Sequence, residues 1–391
     1  MREFDIVIAG AGIAGASLAW QLVHPGASGA SGTPAAAPRV LLLEAESQPG
    51  YHSTGRSAAM FMESYGPPGV RALTRASRAF YESPPPGFAD VPLVTPRGAL
   101  YVATQAQQAL LQQLQDELAP HCPRLQRLDA AQALARVPCL RAEDLLGALL
   151  DPDAQDIDVH ALHQGFLRGL RARGGQLQAG AAVAAARRED GRWTVQLSGP
   201  NTDGEPLRTG TLVNAAGAWA DELAGRCGIA PIGLEPRRRS AFTFQPPAGV
   251  DIAGWPAVVG VDEGWYFKPD AGRLLGSPAN ADPTVPHDVR PEELDIAIGI
   301  DRLQTATTLA IRRPESTWAG LRSFVADGEL VIGAEPAEPG FFWLAAQGGY
   351  GIQSAAGASA LAAALITGAP LPAALQQAGV DPALFSPARL R

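Results

Sequence analysis

The 391-residue chain contains three cysteines, Cys122, Cys139 and Cys227. They are too few and too scattered for a disulfide framework or a zinc pattern, and they fit a reducing compartment. Basic residues are also scarce, with 31 Lys and Arg against 39 Asp and Glu and a net charge of −8. The two basic clusters, Arg187-Arg188 and Arg237-Arg238-Arg239, form no stripe. That excludes a surface built to coat nucleic acid. No secretory signal is read ahead of Asp5, so the expected location is the cytoplasm, with contact to the inner membrane at most peripheral. Asp151 to Asp158 is acidic but lacks the central glycine and closing glutamate of a calcium loop, and no metal is expected. The stretch from Phe341 to Ile366 has no charge and is long enough to span a bilayer. Its Gly-Gly-Tyr-Gly, its glutamines and its alanines read instead as a strand, a glycine turn and a buried helix, so no transmembrane segment is expected.

What the chain does have begins at once. Phe4 to Ala9 is an apolar, β-branched run of the kind buried on both faces of a parallel sheet. Gly10-Ala11-Gly12-Ile13-Ala14-Gly15 follows, and a helix is predicted over 13–23. Gly10 permits the tight turn, Gly12 lets a phosphate approach the backbone, and Gly15 lets the helix pack close to the strand. The N–H groups of Ile13 and Ala14 then point at a pyrophosphate. A second strand, 39–44, ends in Glu44 and Ala45, with Glu44 placed to accept from a ribose hydroxyl or to stand as a strand-end acid. It lies farther along than the usual offset of about 20 residues. The difference is the Gly/Ala/Ser/Pro stretch 24–38, read as a surface insertion.

The loop His52-Ser53-Thr54-Gly55-Arg56-Ser57-Ala58 is dense in donors and small residues, as where a chain wraps a dinucleotide. A helix is predicted to start at Ser57 and run through Met62. His52 is read as a loop residue with a backbone partner rather than a base or an attachment point. Further helices are predicted over 68–82, 105–118, 129–137 and 159–173. Strands follow at 176–178, around Val183 at 182–184, and at 192–197. The strand 211–219 ends in Ala216, Gly217 and Trp219, a second place where backbone lies against a flat ligand. From about 237 to 345 the pattern is mostly strand, broken by a helix near 291–309, implying a largely antiparallel sheet. The turn Gly348-Gly349-Tyr350-Gly351-Ile352-Gln353 aims a helix N-terminus where negative charge can develop.

Four motifs in this order, GAGIAG, HSTGRSAA, VNAAGAW and AAQGGYGIQ, resemble the D-amino acid oxidase superfamily over nearly the whole chain. The stretches RRSAF (238–242), LLGSPANADP (274–283) and TWAGLRSFVADG (317–328) resemble its bacterial D-arginine dehydrogenase group. The resemblance implies a Rossmann-like FAD-binding α/β domain, with a second α+β substrate domain on a largely antiparallel sheet. The FAD parts are expected at 1–90, 143–234 and 323–391, and the substrate parts at 91–142 and 235–322. It implies non-covalent FAD, and with no cysteine beyond Cys227 a C-terminal thioether is excluded. It further implies oxidation of D-amino acids to imino acids, which hydrolyse to 2-oxo acids and ammonia. Oxygen, or quinone in the respiratory chain, would take the electrons.

By the same resemblance Arg322 holds the substrate carboxylate with help from the Tyr266 hydroxyl. Arg239 and Gly349 take active-site positions, and Tyr65 sits on a loop that closes over the substrate. Two departures bear on specificity. Where the group has a glutamate after its Pro-Arg turn this chain has Gly98-Ala99, and where it has a histidine this chain has Met60. With Met62 these changes imply an apolar side-chain pocket favouring neutral over basic substrates, unless Glu63 supplies an acid. A relative acting on secondary amines or 2-hydroxy acids, and a non-catalytic flavin redox sensor, are the other readings.

Overall fold

The computed structural model describes residues 2–24 and 38–391, so most of the expected insertion lies outside the described residues. Two large sheets organise the chain. In the first, Arg2–Ala9 is the hub, paired in parallel with Val40–Glu44 on one side and Leu207–Asn214 on the other. Gln176–Ala179 extends the sheet beyond Val40–Glu44, also in parallel. Glu338–Ala345 runs parallel to the end of Leu207–Asn214, with Asn214 opposite Trp343. The hairpin Ala182–Glu189 and Arg192–Ser198 completes the other edge.

Because these central strands are parallel, Ala9, Glu44, Asn214 and Ala345 all end at one edge of the sheet. The loops that leave that edge are the four motif loops of the sequence. This is the crevice at the carboxyl ends of strands where open α/β sheets bind ligands.

Helix Ile13–Leu22 is small and apolar, and its residues Ile13, Ala16, Leu18, Ala19 and Leu22 are buried. It packs between Val159–Ala172 and the Ala-rich Ala355–Thr367. The uncharged stretch near the C-terminus is therefore a central strand plus a helix buried against protein. Among the described residues no helix is long and apolar enough to cross a membrane.

The second sheet runs in the order Asp282–Pro283, Glu235–Phe244, Arg273–Ser277, Tyr266–Asp270, Ala257–Gly260, Ala99–Thr104, Leu145–Asp151 and Gln126–Asp129. Ser316–Phe324 pairs with residues 235–243 of Glu235–Phe244. Only Ala257–Gly260 and Ala99–Thr104 are parallel neighbours, which gives the largely antiparallel sheet expected. Helix Glu293–Ala306 lies over it and contributes Ile296 and Leu303 to a core with Phe242, Phe267 and Leu274. Leu145–Asp151 belongs to this second sheet, so 145–151 does not go with the FAD-side segment 143–234 to which the sequence assigned it. Its partners are Ala99–Thr104 and Gln126–Asp129, and such long-range pairing is not a local property of the sequence.

The helix expected from Ser57 is absent. Ser53–Arg56 forms one tight 3-10 turn, Ala59 has a φ of 60°, and Met60–Phe61 is a strand paired with Gln155–Asp156. Phe61 is fully buried there, so tertiary packing overrides the local helical preference.

Candidate active site

At the crevice the glycine loop is held from three sides. Glu44 Oε2 accepts the Ala11 N–H at 3.1 Å, Thr54 Oγ1 accepts the Ile13 N–H at 3.0 Å, and His163 Nε2 donates to the Ala11 carbonyl at 2.8 Å. The other Glu44 oxygen accepts from the Glu46 N–H at 3.0 Å, next to Ala45. Burial pushes the Glu44 carboxyl up, and the two backbone donors offset it in part. A Cβ on Gly10 would lie 2.3 Å from the Ala215 carbonyl oxygen, and one on Gly15 would lie 1.9 Å from that of Gly10. The turn therefore closes only with glycine at both places, which is the cradle a pyrophosphate needs.

The remaining cofactor-side residues gather around this loop. His52 Nε2 lies 2.9 Å from Glu46 Oε1, and its ring meets Trp219 at 4.6 Å. Its ring partner is thus a carboxylate, not the backbone group expected. Trp219, Ala216 and Gly217 come from the end of Leu207–Asn214. Val183 lies two residues from Ala181, whose N–H donates to the Glu44 carbonyl at 2.8 Å. Ser53 Oγ donates to the Leu321 carbonyl at 2.6 Å, and Gly55 N–H closes the turn on the Gly50 carbonyl. The Arg56 guanidinium is taken by the Val289 and Ala319 carbonyls and by Asp288. It ties the loop to the second sheet.

From Ile13 and Ser53, Thr54, Arg56, Ser57 and Ala58 a cavity opens toward Gly348, Gly349, Gly351, Ile352 and Gln353. Its lining includes all five residues assigned to the chemistry: Tyr65, Arg239, Tyr266, Arg322 and Gly349. Arg322 Nη2 donates to Tyr65 Oη at 2.6 Å, and its guanidinium also faces the Phe324 and Tyr350 rings at 5.7 and 5.8 Å. Burial acts to lower its pKa, but the tyrosine oxygens outweigh burial and keep the cation firmly charged. A Cβ on Gly349 would sit 1.5 Å from Arg322 Nη2, so the glycine turn leaves the room the guanidinium fills. Arg239 donates from Nε to the Asn280 carbonyl at 2.6 Å and lines the cavity with Tyr266. Burial and the neighbouring Arg322 charge hold its pKa below the usual value.

Four polar wall residues, Glu263, Lys268, Tyr101 and Gln347, were not among the site residues expected from the sequence. Glu263 stands at the tip of the turn between Ala257–Gly260 and Tyr266–Asp270, with a φ of 53°. Desolvation raises its carboxyl, while Arg322 and Arg239 pull it down less strongly. Lys268, buried, donates to Asp156 Oδ1 at 2.7 Å, and Asp156 also holds Arg97. Strand periodicity could have found Lys268, which shares a face with Tyr266. Tyr101 shares the wall with Met60, Met62, Ala257 and Val259. Two expectations are corrected. Glu63 accepts from Arg78 Nε at 2.6 Å and is not a wall residue. Ala99 is fully buried behind the wall, so the Gly98-Ala99 departure bears on the pocket only from behind it. Among the described residues no cluster suited to a metal occurs.

Known proteins share this fold. The family described as FAD dependent oxidoreductase (DAO) matches residues 5–365. L-2-hydroxyglutarate dehydrogenase of Salmonella houtenae is 25% identical over 237 residues, covering 58% of this chain and 51% of that protein. The matched part thus spans about half the length of that curated relative. Among solved structures, glycine oxidase from Geobacillus kaustophilus superposes with a TM-score of 0.79 at 21% identity, over 99% of this chain and 98% of that one. L-proline dehydrogenase from P. horikoshii gives 0.79 at 20% identity, again over 99% and 98%. L-alpha-glycerophosphate oxidase from Mycoplasma pneumoniae, with FAD bound, gives 0.80 at 18%, over 94% and 95%. With a glycine cradle that fits a dinucleotide and a family match over most of its length, this chain belongs to the FAD dependent oxidoreductase family and uses FAD.

Proposed function

We propose that the protein is a D-amino acid dehydrogenase or oxidase that removes the α-hydrogen of a neutral D-amino acid, giving an imino acid that water converts to a 2-oxo acid and ammonia. FAD supplies the acceptor for the hydride leaving Cα. The observation that carries this reading is the joining of Arg322, Tyr65, Arg239 and Tyr266 in one cavity wall beside the Gly348-Gly349 turn. A planar guanidinium grips a carboxylate through two parallel hydrogen bonds, and a phenol adds another. Anchoring the carboxylate in this way fixes where Cα sits, which is most of what the protein has to contribute.

Charge narrows the substrate. Lys268 and Arg97 together are balanced by Asp156 and Asp270, and Arg56 by Asp288, leaving Arg239 and Arg322 against Glu263. One substrate carboxylate with a neutral amine and a neutral side chain closes that balance. A second carboxylate overshoots it, and a guanidinium or ammonium side chain leaves an unpaired cation. The D configuration rests on the resemblance of RRSAF, LLGSPANADP and TWAGLRSFVADG to the D-arginine dehydrogenase group. Oxygen or a respiratory quinone is the proposed electron acceptor, in a cytoplasmic or membrane-peripheral setting.

A second reading has an observation of its own. Arg239 is a second guanidinium in the wall, and the S. houtenae relative acts on a 2-hydroxy dicarboxylate. Secondary amines and a non-catalytic redox sensor are the remaining alternatives. Anaerobic flavin reduction by D-Leu, D-Met, L-Leu, 2-hydroxyglutarate and proline separates them. The proposal expects rapid bleaching by the D-amino acids, and the rivals expect it from another substrate or from none.

A further inference from the structure

The apolar part of the cavity lining includes a phenol ring that is held still. Tyr101, in Ala99–Thr104, is only 2% exposed and lines the cavity. Its ring sits in a hydrophobic cluster with Met62, against which Met60, Tyr65 and Val259 pack. Tyr101 Oη lies 3.0 Å from Ser64 Oγ, and Ser64 Oγ donates to Asp151 Oδ2 at 2.7 Å. The other Asp151 oxygen accepts the Asp153 N–H at 3.0 Å.

The direction of this chain follows from proton inventory. An ionised carboxylate only accepts, so Ser64 gives its hydroxyl proton to Asp151, and Tyr101 gives its own to Ser64. Asp151 is 3% exposed, and burying a carboxylate against a hydroxyl and one amide is costly. A phenylalanine would fill the same apolar space but would leave the Ser64 hydroxyl without its donor. What the network adds is a ring that turns aside only by breaking buried hydrogen bonds.

The polar part of the cavity lining is cationic, with Arg322 joined to it through Tyr65. With the carboxylate at Arg322, a substrate side chain that avoids Arg239, Lys268 and Glu263 can lie against the wall of Met60, Met62, Ala257, Val259 and Tyr101. Methionine adapts its shape, so the width of this pocket is soft. Its depth is set by the ring.

We propose that Tyr101 is the specificity-determining residue of the site. Its tethered ring is the floor on which the substrate side chain ends, so compact neutral side chains fit and long ones are turned away. This rests on the placement of the carboxylate at Arg322 given above.

The test uses the FAD-loaded protein and a series of non-oxidisable acids: benzoate, phenylacetate, 3-phenylpropanoate and 4-phenylbutanoate. Binding is read from the change in flavin absorbance, so turnover is not needed. The parent is expected to lose affinity about tenfold at one step of the series, the scale on which a packed pocket rejects a methylene. Tyr101→Ala is expected to move that step to a longer acid and to raise the longest-to-shortest affinity ratio at least tenfold. Tyr101→Leu, which keeps the cluster filled, moves it the same way by less. Tyr101→Phe and Ser64→Ala keep the ring but free it, and are expected to soften the step about threefold.

A Tyr101→Ala or Tyr101→Leu protein that binds FAD and keeps the parent's length profile overturns the floor. A Tyr101→Phe profile identical to the parent's overturns the tether. An Arg322→Ala control that leaves every affinity unchanged refutes the carboxylate anchor instead, so the two failures are told apart.

Discussion

Arg322 Nη2 and Tyr65 Oη are 2.6 Å apart, and through this contact a strand of the second sheet reaches the segment leading into helix Pro68–Glu82. The hydrogen bond joins the cation that would receive a carboxylate to the loop that would cover it. An incoming carboxylate must share the guanidinium with the phenol. Tyr65→Phe is therefore expected to raise KM several-fold with a smaller effect on kcat, because the lost hydroxyl contributes to binding in ground and transition states alike. Steady-state kinetics check this, and a loss confined to kcat would contradict it.

Arg322→Ala removes the anchor itself. Truncating one partner of a desolvated charge-assisted pair costs about 2–5 kcal/mol, so kcat/KM is expected to fall by at least about thirtyfold. The FAD content should stay at the parent's level. Activity within a few-fold of the parent would make Arg322 a structural residue.

The cofactor is expected to leave with acid. Trichloroacetic acid should release the yellow colour into the supernatant, since no cysteine follows Cys227 and His52 is engaged by Glu46. Gly15→Ala should abolish FAD retention, because its Cβ would meet the Gly10 carbonyl oxygen at 1.9 Å. Colour remaining in the precipitate, or an FAD-loaded Gly15→Ala protein, would contradict these expectations.

Local signals carried the nucleotide side of the molecule. GAGIAG between a strand and a helix, Ala216-Gly217 and Gly348-Gly349 each announce a strand end, and the parallel sheet brings the four ends to one edge. The substrate side was legible only where it resembled a known group. Glu263 and Lys268 stand in the cavity because a hairpin turn and a strand register put them there, and neither is a local property. Glu63 looked like the available acid until packing gave it to Arg78. The helix expected from Ser57 failed for the same reason, since Met60 and Phe61 found strand partners nearly a hundred residues away.

Glu263 should set the response of the site to substrate charge. Neutral D-Leu, D-Met or D-Phe are expected to exceed D-Arg and D-Lys in kcat/KM, because a desolvated cation without a partner is penalised more than a methylene gains, about 0.8 kcal/mol. Glu263→Gln adds one positive charge to the balance and should shift the ranking toward D-Glu. A Glu263→Gln protein with the parent's ranking would remove Glu263 from the account.

Asp295 supplies a pH test of stability. It accepts from Arg238 Nε at 2.8 Å, Ser240 Oγ at 2.7 Å and Asn280 Nδ2 at 3.1 Å, and it is 6% exposed. Burial acts to raise its carboxyl, but the Arg238 and Ser240 hydrogen bonds and the Arg238 charge outweigh burial and hold it below the usual value. A depressed folded-state pKa contributes stability that is present above the unfolded value of 3.8 and is lost as pH falls through the folded one. Asp295→Asn is expected to cost about 1–3 kcal/mol at pH 7 and progressively less below pH 4. Denaturant unfolding at several pH values reads this, and a cost independent of pH would contradict it.

The most direct measurement is anaerobic stopped-flow reduction of the bound flavin by matched D- and L-amino acids, with 2-hydroxyglutarate in parallel. The account predicts fast, saturating bleaching by neutral D-amino acids, slow or absent bleaching by their L-enantiomers, and a weak response to the dicarboxylate. Bleaching by 2-hydroxyglutarate or by an L-amino acid that outpaces every D-amino acid tested would contradict it.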